Sequence, residues 1–338
     1  MNIESFVLDS PPAANGEDLR MAAKRYTYEG QSPRDAITLL MFHAMGQHKE
    51  QWEATIEKLY TLQSRSASRI REVWTFDWQS HGESAVLNEE ALKGDEKAAP
   101  LDCWAAAIAS FIKSDFVKGH RLVGVGHSSG TVGLMLSTRL FEKCPYAGLI
   151  LIEPSMMDEQ IWDANREEIQ PAFDMVTNAV MHRRDGWPSR EAAHKYFMAR
   201  FPWNTWDPRV VASFSEHGLR DSTDKDGKPC VVRKCPMIHE ASAFQVNLKI
   251  TWDAAAQVAK LSGVVPIHVV YGENIDMMPQ VIRDGVIDKT KGRIVDSVTT
   301  VPDVGHTIVQ ELPDVVGSTI SQLLDVIFTT SPEIRSHL

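Results

Sequence analysis

Runs of consecutive apolar residues, each about as long as one β-strand, most restrict how this 338-residue chain can fold. Runs such as 37–42 and 146–152 are apolar throughout, which is typical of strands that helices cover on both faces. Strands alternating with helices predict an α/β fold with a mostly parallel sheet. Strands are predicted at 37–42, 73–77, 121–126, 146–152, 265–271 and 293–301, and helices at 103–111, 131–142 and 315–329.

Residues 154–262 interrupt this alternation, because no clear strand is visible there and aromatic residues are frequent. We expect an α/β core formed by residues 1–153 and 263–338, with 154–262 inserted as a helical cap. Trp187, Trp203 and Trp206 are candidates for substrate contact within the cap. The alternative is a second globular domain, in which these aromatic side chains pack only against each other.

Composition excludes several classes of protein. The chain has 35 Lys plus Arg and 45 Asp plus Glu, a net charge of −10, which argues against binding to nucleic acid. No apolar run approaches the roughly 20 residues that a membrane span needs, and no secretory signal is visible. Four scattered cysteines predict neither a disulfide framework nor a zinc site, and we expect no metal or cofactor.

The strongest functional signal is Gly126-His127-Ser128-Ser129-Gly130, which follows a predicted strand and precedes a predicted helix. Such a sequence forms a sharp turn that raises the serine hydroxyl above the carboxyl edge of the sheet. Glycine on either side removes side chains that would clash in the turn. Ser128 is therefore the candidate nucleophile, and the N-terminus of the following helix is suited to stabilise an oxyanion.

A serine nucleophile needs a base, and the base needs a carboxylate. His306 follows the last predicted strand, so its loop can reach the same sheet edge as Ser128. Two carboxylates also follow strands: Glu153 comes after the strand next in sequence to that of Ser128, and Asp276 lies after the strand that precedes the His306 loop. Either acid gives the order serine, acid, histidine.

The chain resembles the α/β-hydrolases over essentially its whole length. His43-Ala44-Met45-Gly46 is similar to the family's His-Gly-x-Gly oxyanion loop, and residues 77–84 and Gly305-His306 are similar to two further family segments. The resemblance implies an α/β-hydrolase fold with a cap, with the backbone N–H groups of Met45 and Ser129 as the oxyanion hole. His43 is a candidate for substrate contact. Alanine at position 44 departs from the usual glycine and restricts φ there.

A narrower resemblance is to fungal peroxisomal hydrolases of toxin and polyketide pathways, such as the AK-toxin and mycophenolic acid pathways. Residues 47–52, 152–154 and 206–209 carry it. Many α/β-hydrolases place the acid where Asp276 stands, whereas mycophenolic-type hydrolases and zearalenone-type lactonases place it where Glu153 stands. The turn leading to Asp276 is one residue longer than usual. We therefore favour Glu153 and keep Asp276 as the alternative.

These features predict a serine hydrolase that cleaves an ester or thioester of a bulky apolar acyl or polyketide substrate, with a coenzyme A thioester as one candidate. Methionines near the predicted strand ends are candidates for an adaptable pocket wall: Met45, Met156, Met157, Met277 and Met278. The basic pair Arg183-Arg184 is a candidate contact for coenzyme A phosphates. Because fold does not determine reaction, a lactonase, an acyltransferase, a cyclase or a non-catalytic ligand-binding protein remain alternatives.

The final residues, Ser336-His337-Leu338, are similar to the Ser-Lys-Leu peroxisomal address. They predict recognition by the peroxisomal import receptor. A cytoplasmic location is the alternative if this tripeptide is not read as an address.

Overall fold

The computed structural model describes residues 1–12, 18–28, 35–63, 69–95, 97–244 and 248–330. The strands are β1 (Asn2–Asp9), β2 (Arg20–Thr27), β3 (Ile37–Phe42), β4 (Ile70–Phe76), β5 (Arg121–His127), β6 (Tyr146–Ile152), β7 (Gly186–Trp187), β8 (Leu219–Thr223), β9 (Pro229–Arg233), β10 (Ile267–Gly272) and β11 (Ser297–Val301). The helices are α1 (Glu53–Gln63), α2 (Gly82–Leu87), α3 (Leu101–Lys113), α4 (Ser129–Thr138), α5 (Glu159–His182), α6 (Arg190–Met198), α7 (Pro208–His217), α8 (Met237–Phe244), α9 (Leu248–Leu261), α10 (Gln280–Val286), α11 (Ile308–Glu311) and α12 (Pro313–Thr330).

Eight strands form one sheet in the order β1-β2-β4-β3-β5-β6-β10-β11. From β4 to β11 every neighbouring pair is parallel, whereas β1 and β2 join one edge as antiparallel strands. The predicted α/β fold with a mostly parallel sheet is therefore confirmed. Because β5, β6, β10 and β11 lie side by side, the loops that follow them meet at one edge of the sheet.

Helices cover both faces of this sheet, which explains why its central strands are apolar throughout. On one face α3, α4 and α9 contribute side chains such as Trp104, Leu134 and Val258 to a continuous apolar cluster. On the other face α1 and α12 contribute Ile56 and Ile320, among others. The sheet is thus held between two cores, and its carboxyl edge is left to the loops.

The region 154–262 differs from the sequence prediction in two respects. Besides the helices α5 to α8, it contains a three-stranded antiparallel sheet in the order β7-β9-β8, whose strands the sequence did not reveal. The short connection between β8 and β9 turns at Gly227, which has a φ of 75°. The Asp226-Gly227 pair is a hairpin signal that the sequence does contain.

The second difference concerns helix α9, which lies within the range assigned to the cap. Its residues Ala254, Ala255, Val258 and Leu261 are buried in the same cluster as the strands of the large sheet. This helix therefore packs as part of the α/β core. Its position favours a cap insertion that ends before Leu248 and not at residue 262.

No helix in the described ranges is both long and apolar enough to cross a membrane. Within the same ranges, no group of three or more His, Cys, Asp or Glu side chains is arranged to hold a metal ion. The tripeptide Ser336-His337-Leu338 lies outside the described residues.

Candidate active site

Ser128 stands at the turn between β5 and α4, with a φ of 51° and a ψ of −122°. A non-glycine residue seldom adopts a positive φ, and strain of this kind is typical of functional sites. Gly126 and Gly130 are required because neighbouring backbone atoms leave no room for a side chain at either position. A Cβ on Gly126 would lie 2.7 Å from the Thr131 backbone nitrogen, and one on Gly130 would collide with the Phe42 carbonyl oxygen. The predicted strand–turn–helix around Ser128 is therefore present.

The histidine loop brings the His306 ring next to this turn. His306 Nε2 lies 2.9 Å from Ser128 Oγ, and its Nδ1 lies 3.1 Å from Glu153 Oε2. A carboxylate can only accept hydrogen bonds, so Nδ1–H donates to Glu153 and Nε2 is left to accept the Ser128 hydroxyl proton. All three side chains are less than a tenth exposed. The structure thus brings the predicted nucleophile, base and favoured acid into one hydrogen-bonded chain.

Glu153 follows β6 directly and, like Ser128, has a positive φ, of 48°. Its backbone N–H donates to the Val270 carbonyl at 2.8 Å, which continues the pairing of β6 with β10. The Gly272 backbone N–H donates to its Oε1 at 2.6 Å. These contacts fix both ends of the residue, so the carboxylate points along the sheet edge toward His306.

Asp276, the alternative acid, contacts the backbone of the histidine loop and not the imidazole. Its Oδ1 accepts the His306 backbone N–H at 3.0 Å and the Met277 backbone N–H at 2.6 Å. A side chain on Gly305 would overlap its carboxylate. The geometry therefore gives Asp276 a role in shaping the loop and leaves the Nδ1 position to Glu153.

His127 supports the same loop from below. Its Nε2–H donates to the His306 carbonyl oxygen at 2.8 Å, and burial lowers the pKa of His127 to about 3. The ring is consequently neutral at ordinary pH and adds no charge beside His306.

A buried aspartate braces the segment that follows the oxyanion loop. Asp77 accepts the Lys49 backbone N–H at 2.7 Å and the Glu83 backbone N–H at 2.7 Å, which ties the loop after β3 to the loop after β4. Ala44 does not have a positive φ; that conformation falls on Gly46, at 73°. The unusual alanine is therefore accommodated without backbone strain.

The two predicted oxyanion donors flank the nucleophile. Ser129 is the first residue of α4, whose leading N–H groups have no partner inside the helix. Met45 lines the same cavity as Ser128 and His306. Neither backbone N–H donates to another residue within the described ranges, so both are available to an oxyanion.

Ser128 and His306 open onto a cavity of about 640 Å³, its mouth included. Its wall is almost entirely apolar, and no Asp, Glu, Lys or Arg lines it in the described part of the chain. The other lining residues are Met45, Ser155, Met157, Phe173, Val176, Phe244, Leu248, Thr251, Met277, Met278 and Ile282. Four of the five methionines proposed from the sequence are thus at the wall, whereas Met156 is buried in the core.

The three tryptophans predicted to contact substrate do not line this cavity, and that prediction is wrong. Trp187, Trp203 and Trp206 are each less than a tenth exposed and pack with Phe197 and Phe214 in a separate apolar cluster. The ring centroids of Trp203 and Phe197 are 5.0 Å apart. The alternative held for these residues, that they pack with one another, describes them correctly.

His43 is also absent from the cavity wall. It is fully buried, its Nδ1–H donates to the Ala44 carbonyl at 2.7 Å, and its Nε2 accepts the Trp78 backbone N–H at 3.1 Å. Burial lowers the pKa of His43 to about 4, which keeps the ring neutral. The side chain braces the oxyanion loop, so the predicted substrate contact is wrong.

Sequence reasoning missed Arg283 and most of the cavity wall. Arg283 of α10 contacts Glu153, with its Nη2 3.0 Å from Oε1. The available signal is weak: Arg283 stands between Ile282 and Asp284 in a short helix that also contains Gln280. The aromatic wall residues Phe173 and Phe244 come from α5 and α8, and nothing in their local sequence separates them from core residues.

The proposed contacts of Arg183 and Arg184 with phosphate are not favoured by their surroundings. Arg183 forms an ion pair with buried Glu240. Arg184 donates to the Gly186 carbonyl at 2.8 Å and lies over the Trp187 ring.

A serine on a strand–turn–helix, hydrogen-bonded to a histidine beside an apolar cavity, is the arrangement of a hydrolase on an α/β sheet. A family model described as "Alpha/beta hydrolase family" matches residues 39–318. The chain belongs to the alpha/beta hydrolase family.

Among curated proteins, the chain is similar to two fungal enzymes. It is 31% identical over 236 residues to the type I acyl-CoA thioesterase mpaH of Penicillium roqueforti, a match that covers 64% of this chain and 48% of the relative. It is 31% identical over 225 residues to mpaH' of Penicillium brevicompactum, covering 61% and 46%. The chain thus spans about half the length of the curated relatives it matches.

Among solved structures, the peroxisomal alpha-beta-hydrolase Lpx1 of Saccharomyces cerevisiae superposes with a TM-score of 0.75 at 18% identity, covering 98% of this chain and 90% of that one. The thioesterase domain from the curacin biosynthetic pathway gives a TM-score of 0.62 at 15% identity, covering 98% and 100%. These likenesses establish the fold.

Proposed function

We propose that this protein is a serine hydrolase that cleaves an ester or thioester of a bulky apolar acyl group, with an acyl-CoA as the first candidate substrate. The observation that carries the proposal is the hydrogen-bonded chain from Ser128 Oγ through His306 to Glu153, with steps of 2.9 and 3.1 Å, beside a mostly apolar cavity that Ser128 and His306 line. The names of the similar fungal thioesterases support the thioester.

In the proposed mechanism, Ser128 Oγ attacks the acyl carbonyl carbon while His306 Nε2 takes the hydroxyl proton. The carbonyl oxygen becomes an oxyanion that accepts hydrogen bonds from the Met45 and Ser129 backbone N–H groups. Each such donor contributes about 3 kcal/mol to stabilisation of the transition state. When this tetrahedral intermediate collapses, the alcohol or thiol leaves and receives the proton from His306. An acyl-serine ester remains.

Water completes the cycle. His306 takes a proton from the water as it attacks the acyl-serine carbonyl, and the second oxyanion uses the same two N–H groups. The Ser128 oxygen then leaves, recovers the proton from His306, and the carboxylic acid is released. Glu153 accepts the Nδ1–H bond throughout and stabilises the imidazolium in both halves of the reaction.

The cavity supports a neutral apolar acyl group. Burial of apolar surface stabilises binding by about 25 cal/mol per Å², whereas a carboxylate or ammonium on the acyl chain would meet no counter-charge among the described wall residues. Flexible methionines on the wall favour a pocket that adapts to ring systems of different shape.

The test compares p-nitrophenyl esters, acyl-CoA thioesters and lactones with the wild-type protein and Ser128→Ala. We expect turnover by the wild type, incorporation of one oxygen from ¹⁸O-labelled water into the acid, and loss of turnover in a folded Ser128→Ala variant. Retained turnover in that variant would contradict the proposal. Acyl transfer without solvent oxygen in the product would assign the site to an acyltransferase or cyclase.

We also propose that Ser336-His337-Leu338 directs the protein to peroxisomes. Its similarity to the Ser-Lys-Leu address and the peroxisomal description of the structural neighbour Lpx1 support this. A fluorescent protein that ends in these residues should collect in peroxisomes, and a fusion lacking Leu338 should not. Equal distribution of the two fusions would overturn the proposal.

A further inference from the structure

A buried arginine lies behind the acid of the candidate triad. Arg283 Nη2 is 3.0 Å from Glu153 Oε1 and 3.1 Å from Oε2, so it contacts both carboxylate oxygens. The same guanidinium donates from Nη1 to the Gly272 carbonyl at 2.7 Å and from Nη2 to the Asn274 carbonyl at 3.0 Å. Glu153 is completely buried and Arg283 is 4% exposed. Arg283 therefore joins the acid to the loop after β10.

A completely buried carboxylate is unstable as an anion unless a cation or several donors compensate it. Within the described residues, Arg283 is the permanent cation that forms an ion pair with Glu153; the other ion-pair partner is His306. Arg283 contacts Oε1 and Oε2, while His306 Nδ1 contacts Oε2. The arginine thus holds both carboxylate oxygens in place while Oε2 also accepts from the imidazole.

We propose that Arg283 is a positioning residue of this site, which keeps Glu153 ionised and holds its Oε2 on His306 Nδ1. The proposal rests on the proposed function, because it assigns a task within the same triad. Arg283 does not line the cavity, so it does not touch an acyl group bound there.

The expected signature is a change in pH dependence. The reactive form has a Glu153 carboxylate that accepts the Nδ1–H bond and a His306 ring whose Nε2 can accept the Ser128 proton. A permanent positive charge beside the pair favours this form, so its removal raises the pH at which the pair loses its last proton. This holds whether the proton rests on Glu153 or on His306.

Other groups around the pair do not produce this signature. Burial raises the pKa of Tyr271, whose hydroxyl donates to the Arg283 carbonyl, and burial lowers the pKa of His127 to about 3. Neither group changes charge between pH 5 and 9. Asp276 faces the His306 backbone, and Asp284 is the neighbour of Arg283 on α10. All four groups are retained in the variants used below.

The experiment measures the rate at which a fluorophosphonate labels Ser128, between pH 5 and 9, in wild type, Arg283→Gln and Arg283→Lys. For Arg283→Gln we expect the midpoint of the rise in labelling rate on the acidic side of the pH profile to move up by about one to two pH units. Arg283→Lys retains the charge, so its midpoint should stay near that of wild type while its rate falls because the carbonyl contacts are lost.

Arg293→Gln is the matched control. Arg293 is also buried, and its Nη1 donates to the Gly285 carbonyl of α10 at 2.5 Å while its Nη2 donates to Asp158 at 2.7 Å, but it does not contact the triad. Its removal should lower stability and leave the midpoint unchanged. An unchanged midpoint in folded Arg283→Gln, or an equal movement in Arg293→Gln, would overturn the proposal.

If Arg283→Gln does not fold, the labelling rate is compared between Glu153→Gln and the double variant Glu153→Gln/Arg283→Gln. The double variant removes both buried charges and so leaves neither unpaired. The second substitution should then change the labelling rate less than about threefold, because coupled effects are non-additive. A further tenfold loss would show that Arg283 acts independently of Glu153 and would refute the proposal. Failure of the wild type to be labelled at all would instead count against the proposed function.

Discussion

Glu153→Gln tests which acid accepts the hydrogen bond from His306 Nδ1, and the structure determines the orientation of the new amide. The Gly272 backbone N–H lies 2.6 Å from Oε1, and Arg283 Nη2 lies 3.0 Å from it, so two donors require an oxygen at that position. The amide oxygen therefore takes the Oε1 position and the NH₂ group faces His306 Nδ1. Two donors cannot face each other, so Nδ1 loses its hydrogen and Nε2 carries it.

An imidazole with its hydrogen on Nε2 cannot accept the Ser128 proton. We expect kcat to fall about 10⁴-fold, which corresponds to about 5 kcal/mol of transition-state stabilisation. Stability should fall as well, by about 3 kcal/mol or more, because Arg283 is left buried without its counter-charge.

Asp276→Asn is the matched control. The amide oxygen of asparagine can still accept from the His306 backbone N–H, which lies 3.0 Å from Oδ1 in the wild type. We expect a loss of less than about tenfold, as for a loop that shifts slightly.

The assay is ester hydrolysis and fluorophosphonate labelling of both variants, with circular dichroism and urea unfolding to show that each is folded. If Glu153→Gln keeps more than a tenth of the wild-type rate, or if Asp276→Asn loses as much as Glu153→Gln, the assignment of the acid is wrong.

Two further predictions concern residues around the site. Burial lowers the pKa of His43 from 6.5 to about 4, so the unfolded chain binds more protons between these values and stability should fall as pH drops through this window. In His43→Gln the slope of the unfolding free energy against pH, measured by urea unfolding, should decrease by about 1.4 kcal/mol per pH unit; an unchanged slope would contradict this origin of the acid sensitivity. Val176→Trp fills the cavity wall and should shift preference toward shorter acyl chains in a p-nitrophenyl ester series, whereas Trp206→Phe should lower stability by about 1 kcal/mol without altering that preference. Equal shifts in acyl-chain preference for the two variants would show that Val176 does not line the acyl-binding cavity.

Local patterns were sufficient for the parallel strands of the large sheet and for the turn that carries Ser128, whereas the antiparallel strands β1 and β2 were not predicted. Strands β3 and β6 are observed within the predicted bounds 37–42 and 146–152, because a strand covered on both faces needs apolar residues at every position. The turn at Ser128 was visible in the sequence because the chain can make it only with glycine at 126 and 130, where a Cβ would strike the backbone.

Long-range contacts decided those features that the sequence did not predict or predicted incorrectly. Trp203 and Trp206 are aromatic whether they face a ligand or pack together, so composition could not separate the two cases. The strands β7 to β9 are two to five residues long and hold polar residues, so they have no strong period. Helix α9 looks like other cap helices until its contacts with the large sheet are seen.

By itself, the sequence determined the α/β class, the turn that carries Ser128 and the loop that carries His306, because each depends on residues close together in the chain. Glu153 and Asp276 both satisfied the same chain order, and only the tertiary structure placed one at the imidazole and the other at a backbone N–H. The position of Arg283 behind Glu153 was likewise decided by the fold. The physical reason is that a hydrogen bond between residues over a hundred positions apart depends on how strands and loops pack, which no local pattern records.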